Sequence, residues 1–396
     1  MAASRTVIVA GAGIGGLTAA LALAQRGLRV ALLDRADRLE ETGAGIQLSP
    51  NASRVLIGLG LGERLAPHVV TPVELRVGNA RTGSTLAAAP LGEVAEKRYG
   101  APYWVIHRGD LQRELLQAAR GHPDIAIALG TRVEEFAVHQ NGVTVAGLRD
   151  MRPIEEHGIA LVAADGLWSN LRGRLGHRAQ PRFAQHTAWR ALVLAEAVAP
   201  ELRAPAVHLW LGRDTHLVHY PVKAGQLINV VAIVRDEWRE PGWSEPGNRA
   251  EILARFAPSA WHERARDLLA LPDRWLKWAL YDCAPLPRWG KGPVTLLGDA
   301  AHPMLPYLAQ GAAMAIEDAA VLAERIAHTP DDPAAAMRAY ERARRARTAR
   351  TQRAARRNGT VYHMHGAAAW LRTLALTATG RRLTTRYDWL YGWKPT

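Results

Sequence analysis

A single cysteine, Cys283, stands in a chain of 396 residues. That excludes an internal disulfide and a cysteine-built metal centre, and it suits a reducing, cytoplasmic setting. No run approaches the ~18 consecutive apolar residues of a membrane span. The apolar opening Val7 to Ala10 lacks the basic flank and long apolar core of a secretory signal, so no membrane association is expected. Internal repeats and low-complexity linkers are missing. Acidic residues are scarce, 37 against 50 basic, which leaves a formal charge of +13. Phenylalanine is scarcer still, with three against thirteen tryptophans, an imbalance that carries no functional reading by itself.

What is present is enough for two domains, since 48% of residues are hydrophobic and the length allows sizeable cores. The organising stretch is Val7 to Gly16, VIVAGAGIGG. A buried-strand run leads directly into Gly11, Gly13 and Gly16 in the pattern G-x-G-x-x-G, and then into a helical pattern from Leu17 to Arg26. Gly11 permits the tight turn, Gly13 lets backbone approach a pyrophosphate, and Gly16 lets helix and strand pack closely. The helix N-terminus offers unpaired N–H groups and a positive dipole end to phosphates. A second apolar run, Val30 to Leu33, ends in Asp34, an acid placed to accept from both hydroxyls of an adenosine ribose. A dinucleotide site follows, with FAD and NAD both open at this point.

Along the chain, a helix is expected to start at Pro50-Asn51 and fray over Gly58 to Gly62, with short strands over 70–96 turning at Arg81 to Ser84, and a strand from Tyr103 to His107. A helix over Asp110 to Arg120 follows, then β-rich runs around 125–138 and 143–148 turning at Gln140-Asn141-Gly142, and a buried strand from Ile159 to Ala164 ending in Asp165-Gly166. From Thr187 to Val234 the pattern alternates in period two, as an antiparallel sheet with one covered face does. Residues 246–270 read as helical. Val294 to Leu297 returns to a buried strand, followed by a helix from Gly311 to Ala327 and a helical remainder. The arginines between Arg338 and Arg357 read as an exposed face of a long helix; no aromatics interleave with them as a single-strand nucleic-acid groove requires. Because α/β signals flank the antiparallel block, the fold expected is α/β with a discontinuous Rossmann-like domain in three parts, 1–72, 99–178 and 277–396, the last carrying C-terminal helices. The antiparallel-sheet domain comprises 73–98 and 179–276.

Three further motifs fall in order: His107-Arg108-Gly109-Asp110-Leu111, Ala164-Asp165-Gly166-Leu167-Trp168-Ser169, and GDAAHPMLPYLAQGAAMAIEDAAVLAERI over 298–326. With the glycine fingerprint, with GAGIQLSPNA (43–52) and with the tail YDWLYGW (387–393), they resemble the group A flavoprotein monooxygenases. The likeness is to the branch of salicylate hydroxylase, 3-hydroxybenzoate 6-hydroxylase and 6-hydroxynicotinate 3-monooxygenase, and it spans nearly the whole chain. It implies that the dinucleotide is FAD. Gly11, Gly13, Gly16 and Asp34 then hold the ADP half, Arg108 contacts the cofactor with Gln112 one turn on, and Asp165-Gly166 serves FAD and NAD(P)H. Gly298-Asp299 places its carboxylate on the flavin ribityl chain, and the helix beginning at Gly311 aims its N-terminus at the flavin ring, where a positive helix end stabilises the reduced anion. No second G-x-G-x-x-G exists, so NADH or NADPH visits as a transient co-substrate. No metal is implied; His302, within GDAAHP, has a structural place.

The family reaction implied is NAD(P)H-driven hydroxylation of a small anionic aromatic acid with O2, through a flavin C4a-hydroperoxide. A phenol reacts better as its phenolate, so a general base is expected near the ring. His216 and Tyr220 share a strand face if 216–222 is extended, and the hydroxybenzoate branch carries a His and Tyr at this spacing. His216 is the candidate base, Tyr220 the positioning residue, and His219 faces away. Gln47, Pro306 and Tyr307 are lining candidates, Pro306 standing where some relatives carry a polar residue. Two alternatives stay open: a larger natural-product aromatic as substrate, and an arginine-rich nucleic-acid or membrane binder with a vestigial flavin. The partners expected are the small aromatic substrate and, at most, a second copy of the chain, so that the protein is a monomer or homodimer that binds neither nucleic acid nor membrane.

Overall fold

The computed structural model describes residues 5–39, 44–240, 245–380 and 383–395; Gly43 of the GAGIQLSPNA stretch lies outside them. The first apolar run forms the strand Thr6–Ala10, whose Val7, Ile8 and Val9 are fully buried. It lies inside a six-stranded sheet, hydrogen-bonded in parallel to Arg29–Leu33 on one side and to Ala160–Ala163 on the other. Ile125–Ala128 extends the first side, and Val294–Leu296 the second. Strand order therefore reverses at Thr6–Ala10, and ligands of such sheets sit in the crevice beyond the carboxyl ends at that point. The glycine loop begins there.

The second sheet has eight strands, in the order Glu245–Gly247, Trp275–Asp282, Arg182–Leu194, Leu227–Arg235, Thr215–Val222, Ala206–Leu211, Glu74–Asn79 and Thr85–Pro90. One face is closed by the helices Arg249–Arg255 and Glu263–Ala270, whose Ile252, Phe256, Leu268 and Leu269 pack on Trp189, Leu217, Val230 and Ala232. The opposite face meets the turn and helix that follow Gly298-Asp299: Ala188, Ile233 and Trp278 pack on Leu305 and Tyr307. Alternation along each strand separates the two faces, so a one-residue slip would exchange them.

Several expectations need amending. The sheet is antiparallel except where Ala206–Leu211 pairs in parallel with Glu74–Asn79, a crossover that local periodicity does not encode. Residues 92–96, expected within the short strands of 70–96, belong instead to the helix Gly92–Tyr99, ended by Gly100 in the left-handed region at φ 74°. The span 246–270 is two helices and a short strand, broken after Phe256. A third strand, Arg152–Gly158, joins the ribbon formed by Thr131–His139 and Gly142–Arg149.

The arginine-rich helix, Pro333–Tyr362, is not simply an exposed face. Arg344 is buried; its Nη1 pairs with Glu317 at 2.5 Å and its Nε with Asp318 at 2.7 Å. Arg347 donates to both Glu317 oxygens and to the carbonyls of Trp389 and Leu390. Arg356 pairs with Asp282 at 2.6 Å. Arg342, Arg345, Arg350, Arg353 and Arg357 are exposed. The tail tryptophans lie on this face, with Arg350 3.9 Å from the Trp389 ring centroid and Arg344 and Arg347 over Trp393. Much of the tryptophan excess is core: Trp189, Trp275 and Trp289 are among the largest fully buried side chains.

Candidate active site

At the N-terminal crevice the three fingerprint glycines do different things. Gly11 has φ +116°, and a Cβ there would lie 2.3 Å from the Ala164 carbonyl oxygen. A Cβ on Gly16 would strike the Gly11 carbonyl. Gly13 has nothing within 4 Å, so its missing side chain leaves room for a ligand rather than for protein. Asp34 accepts from the Ala12 amide at 2.5 Å and the Ala36 amide at 2.8 Å. Each carboxylate oxygen has a second lone pair, so acceptor capacity remains for ribose hydroxyls. Gln112 donates to the Ala12 carbonyl at 3.2 Å, tying its helix to the glycine loop.

Asp165 points inward to its own loop: it accepts from Ser169 Oγ at 2.5 Å and from the Leu171 amide at 3.1 Å, fixing the following helix. Gly166, at φ +81° with open space around it, allows the turn. Buried Arg172 joins this loop to the next motif, donating to the carbonyls of Leu167 and Ala300 at 2.7 and 3.1 Å. Gly298 adopts φ +62°, and a Cβ there would lie 3.0 Å from Ala315 Cβ. Its amide donates to Asp318, which also accepts from His302 Nε2 at 2.5 Å. His302 is thus a structural residue of this turn.

Asp299 lies deep in the protein yet keeps accessible surface, and burial raises its pKa despite the nearby His302, Arg108 and Arg172. It makes no hydrogen bond with another described residue. Its Oδ1 lies 3.9 Å from where a Gly311 Cβ would stand, at the start of the 18-residue helix Gly311–His328. A bare carboxylate beside an uncapped helix N-terminus fits a polyhydroxylated, anionic group such as the ribityl-phosphate part of FAD. Arg108, also deep with accessible surface and facing Asp299, fits the same group. Helix Gly311–His328 is anchored from below: Gln310 donates to Ser49 Oγ at 2.8 Å, and Asn51 donates to Glu317 at 2.6 Å. That network accounts for the Ser49-Pro50-Asn51 stretch.

On the second sheet, the register of Thr215–Val222 against its neighbours puts His216 beside Ile233 and Ala188, and Tyr220 beside Asn229 and Leu192. These are residues of the face toward Gly298-Asp299. His219 lies on the other face, where its Nε2 accepts from Trp210 and its ring stacks on His208. His216 is 2% exposed, and burial holds its pKa well below the usual value, so it is neutral at pH 7. Its Nδ1 meets His363 Nε2 at 2.8 Å, and the rings of Tyr307 and Tyr362 stand 5.5 and 5.4 Å away. Tyr220 is 4% exposed and its hydroxyl is bonded to Gln47. Gln47 in turn accepts from Tyr103 at 2.7 Å. Tyr307 presents a buried hydroxyl with no hydrogen-bond partner among the described residues, whereas Pro306 is exposed.

Sequence reasoning missed Arg190, His363, Tyr103 and Asn229. Register places Arg190 between Ala188 and Leu192 on the face of His216 and Tyr220. It lies deep among protein atoms yet remains partly accessible. Its guanidinium stacks 3.0 Å from the Trp278 ring centroid but makes no ion pair among the described residues. Burial, with Arg108 nearby, pushes its pKa down, as expected of a cation short of counter-charge. Its signal was the single charge in the apolar strand HTAWRALVL. No described group of His, Cys, Asp and Glu could hold a metal, and no described helix is long and apolar enough to cross a membrane.

Comparison with known proteins agrees with this geometry. A family model described as an FAD binding domain matches residues 4–355. The 3-hydroxybenzoate 6-hydroxylase of Polaromonas naphthalenivorans is 38% identical over 388 residues, covering 98% of this chain and 96% of its own. Klebsiella pneumoniae HpxO, solved with FAD and uric acid, superposes with a TM-score of 0.84 at 28% identity, covering 96% of this chain and 94% of HpxO. A salicylate hydroxylase–substrate complex superposes with a TM-score of 0.83 at 28% identity, covering 100% and 97%.

Proposed function

The chain belongs to the FAD binding domain family of flavin-dependent aromatic hydroxylases, and on that premise we propose that its substrate is a small hydroxylated aromatic carboxylate. The observation that carries the proposal is Arg190, a deep guanidinium facing the site with no counter-ion among the described residues. An uncompensated interior cation costs several kcal/mol, and a substrate carboxylate supplies the missing charge in a charge-assisted, potentially bidentate bond. A neutral natural product would leave the cation unpaired. Salicylate, a hydroxybenzoate or a hydroxynicotinate each carries the required anion.

In this reading FAD, reduced by NAD(P)H, supplies the oxygen chemistry when bound. The protein's own groups bind, orient and ionise. Gly11, Gly13, Gly16 and Asp34 hold the adenosine end; Arg108, Gln112, Asp165-Gly166, Gly298-Asp299 and Gly311 hold the remainder. Arg190 anchors the carboxylate. Tyr220, kept protonated by burial, donates a hydrogen bond that orients the ring, with Gln47 and Tyr307 lining it. His216 is neutral and has Nε2 left for a ligand, so it takes the ring hydroxyl's proton and makes the carbon nucleophilic. The flavin-binding and substrate-binding parts follow the two sheets, with 73–98 and 179–276 forming the substrate part. A turnover screen with identified products, using hydroxybenzoates, salicylate and hydroxynicotinates, tests the proposal. Substrate-stimulated NAD(P)H oxidation with a hydroxylated product is expected from at least one acid and not from its methyl ester. Equal turnover of acid and ester would overturn the carboxylate assignment.

A further inference from the structure

The hairpin of Thr215–Val222 and Leu227–Arg235 carries His216 and Tyr220 on one strand and Asn229 on the other. Its tip has an unusual backbone. Lys223 and Ala224 both lie in the left-handed region, at φ 54° and 53°, and the Gly225 amide closes the turn by donating to the Val222 carbonyl at 3.0 Å. Turns with consecutive positive φ values favour glycine, asparagine and aspartate. Glycine would sit at either position without strain. A lysine held there by the surrounding structure calls for a role beyond the turn.

The lysine side chain supplies that role. Its Nζ donates to Asp110 Oδ1 at 2.5 Å, an oxygen that also accepts from Arg113 at 2.7 Å. The Lys223 side chain is partly exposed, whereas that of Asp110 is fully buried. Asp110 lies in the first turn of helix Arg108–Arg120, so the pair joins the substrate sheet to the helix that begins at the cofactor-facing Arg108. Other contacts seat the same hairpin alongside. Asn229 Oδ1 accepts from the Gly45 amide at 2.7 Å, and the Tyr220 hydroxyl is bonded to Gln47. Gly45 stands opposite His107 in the strand pair Gly45–Leu48 and Trp104–His107. A Cβ on Gly45 would lie 2.5 Å from the Tyr220 ring and 2.9 Å from Asn229 Cγ. The hairpin is therefore already in hard contact with this strand, and its free direction of movement is away from the cofactor cradle. Lys223 closes that direction at the tip.

We propose that Lys223 is a positioning residue: by gripping Asp110 it fixes where His216 and Tyr220 hold the substrate ring relative to the cofactor cradle at Arg108, and so sets how much of the NAD(P)H consumed ends as hydroxylated product. The inference rests on the reading that the aromatic ring binds on the His216–Tyr220 face. Lys223 acts through the hairpin and does not touch the substrate. Arg113 stays on Asp110 when Lys223 is removed, so the carboxylate keeps a cationic partner and the loss falls on the hairpin tip. Transfer of oxygen to the ring depends steeply on placement, and an error of about 1 Å can cost about 100-fold. Oxidation of NAD(P)H has no such dependence on the ring. When the ring is misplaced, NAD(P)H, a proton and O2 end as NAD(P)+ and hydrogen peroxide, and no bond to the ring forms.

The test compares the FAD-loaded parent with Lys223→Gly, Lys223→Met and Lys223→Arg, using 3-hydroxybenzoate, salicylate and 6-hydroxynicotinate as probes with NADH or NADPH. It reads hydroxylated product and hydrogen peroxide formed per NAD(P)H consumed. Lys223→Gly suits the turn better than the parent does, so a lysine that only shapes the turn predicts unchanged coupling in that variant. The clamp predicts that Lys223→Gly and Lys223→Met keep FAD and oxidise NAD(P)H within about threefold of the parent. Their product per NAD(P)H should fall by about threefold or more, with peroxide making up the difference. Lys223→Arg keeps the charge and the reach, and should restore most of the coupling. Coupling in Lys223→Gly equal to the parent's, or as poor in Lys223→Arg as in Lys223→Met, would overturn the clamp while leaving the substrate reading intact. If the parent hydroxylates none of the three acids, the substrate reading falls first and the clamp with it.

Discussion

Replacing Arg190 with methionine separates a ligand anchor from a structural cation, because the two roles predict opposite effects. Without substrate, the guanidinium has a stacking partner, Trp278 at 3.0 Å, and no ion pair among the described residues. Losing the stacking contact costs about 0.5–2 kcal/mol, while removing an unpaired interior charge and keeping an apolar stem returns up to several kcal/mol. Unfolding free energy of the FAD-loaded protein should therefore stay the same or rise by about 1–3 kcal/mol. With substrate present, the variant leaves a carboxylate facing an apolar side chain. Breaking a fully buried pair costs ~3–5 kcal/mol, and because Arg190 retains some accessible surface we take roughly 2–4 kcal/mol. At 1.4 kcal/mol per tenfold, Kd for 3-hydroxybenzoate rises about 30- to 1,000-fold. Flavin-perturbation titration gives the Kd, and denaturant unfolding gives the stability. Lost stability above about 3 kcal/mol with unchanged Kd would refute the assignment and make Arg190 a structural residue.

Other residues give equally separable outcomes. Asp299→Ala removes the unpartnered carboxylate at the Gly311 helix start and should release FAD on gel filtration; full flavin occupancy would remove Asp299 from the cofactor site. His216→Ala should slow hydroxylation by about 100-fold or more while reduction of the flavin by NAD(P)H in the substrate complex continues, and unchanged coupled turnover would exclude it as base. Arg344→Leu removes one cationic partner from Glu317 and Asp318, both fully buried, leaving Arg347 on the first and His302 on the second, and should cost up to about 3–5 kcal/mol in denaturant unfolding; a loss under about 1 kcal/mol would mean that Arg344 adds nothing to the cluster. Burial depresses the pKa of His208 to about 4 and of His363 to about 3. The unfolded chain therefore binds more protons than the native one below pH 6.5, so stability falls as pH drops from there toward those values. At pH 5 each contributes a loss of roughly 2 kcal/mol, and His208→Phe should flatten that acid limb.

Legibility followed how local each signal was. The glycine fingerprint could be read because strand, turn and helix are contiguous, although only Gly16 has its steric cause within that loop: a Cβ on Gly11 meets Ala164 of a distant segment, and one on Gly13 meets no protein atom. The facing of His216 and Tyr220 could be read because period two within one strand fixes it. Arg190 could not, since its meaning lies in the absence of a counter-ion from distant segments. His363 could not either, because its bond to His216 spans 147 residues and joins a helix end to a strand. The arginine-rich helix was half legible: composition gives its helicity, but only packing against Glu317 and Asp318 separates the buried arginines from the exposed ones. The parallel pairing of Ala206–Leu211 with Glu74–Asn79 has no local signature at all.

The most direct test of the central claim is single-turnover reaction of the FAD-loaded, NAD(P)H-reduced protein with isotopically labelled dioxygen and 3-hydroxybenzoate, salicylate or a hydroxynicotinate. The account predicts one labelled oxygen atom in a ring-hydroxylated acid per NAD(P)H consumed, with NAD(P)H oxidation accelerated by that acid. Oxidation that no aromatic acid accelerates, or that yields hydrogen peroxide and no labelled product with every acid tried, would contradict it.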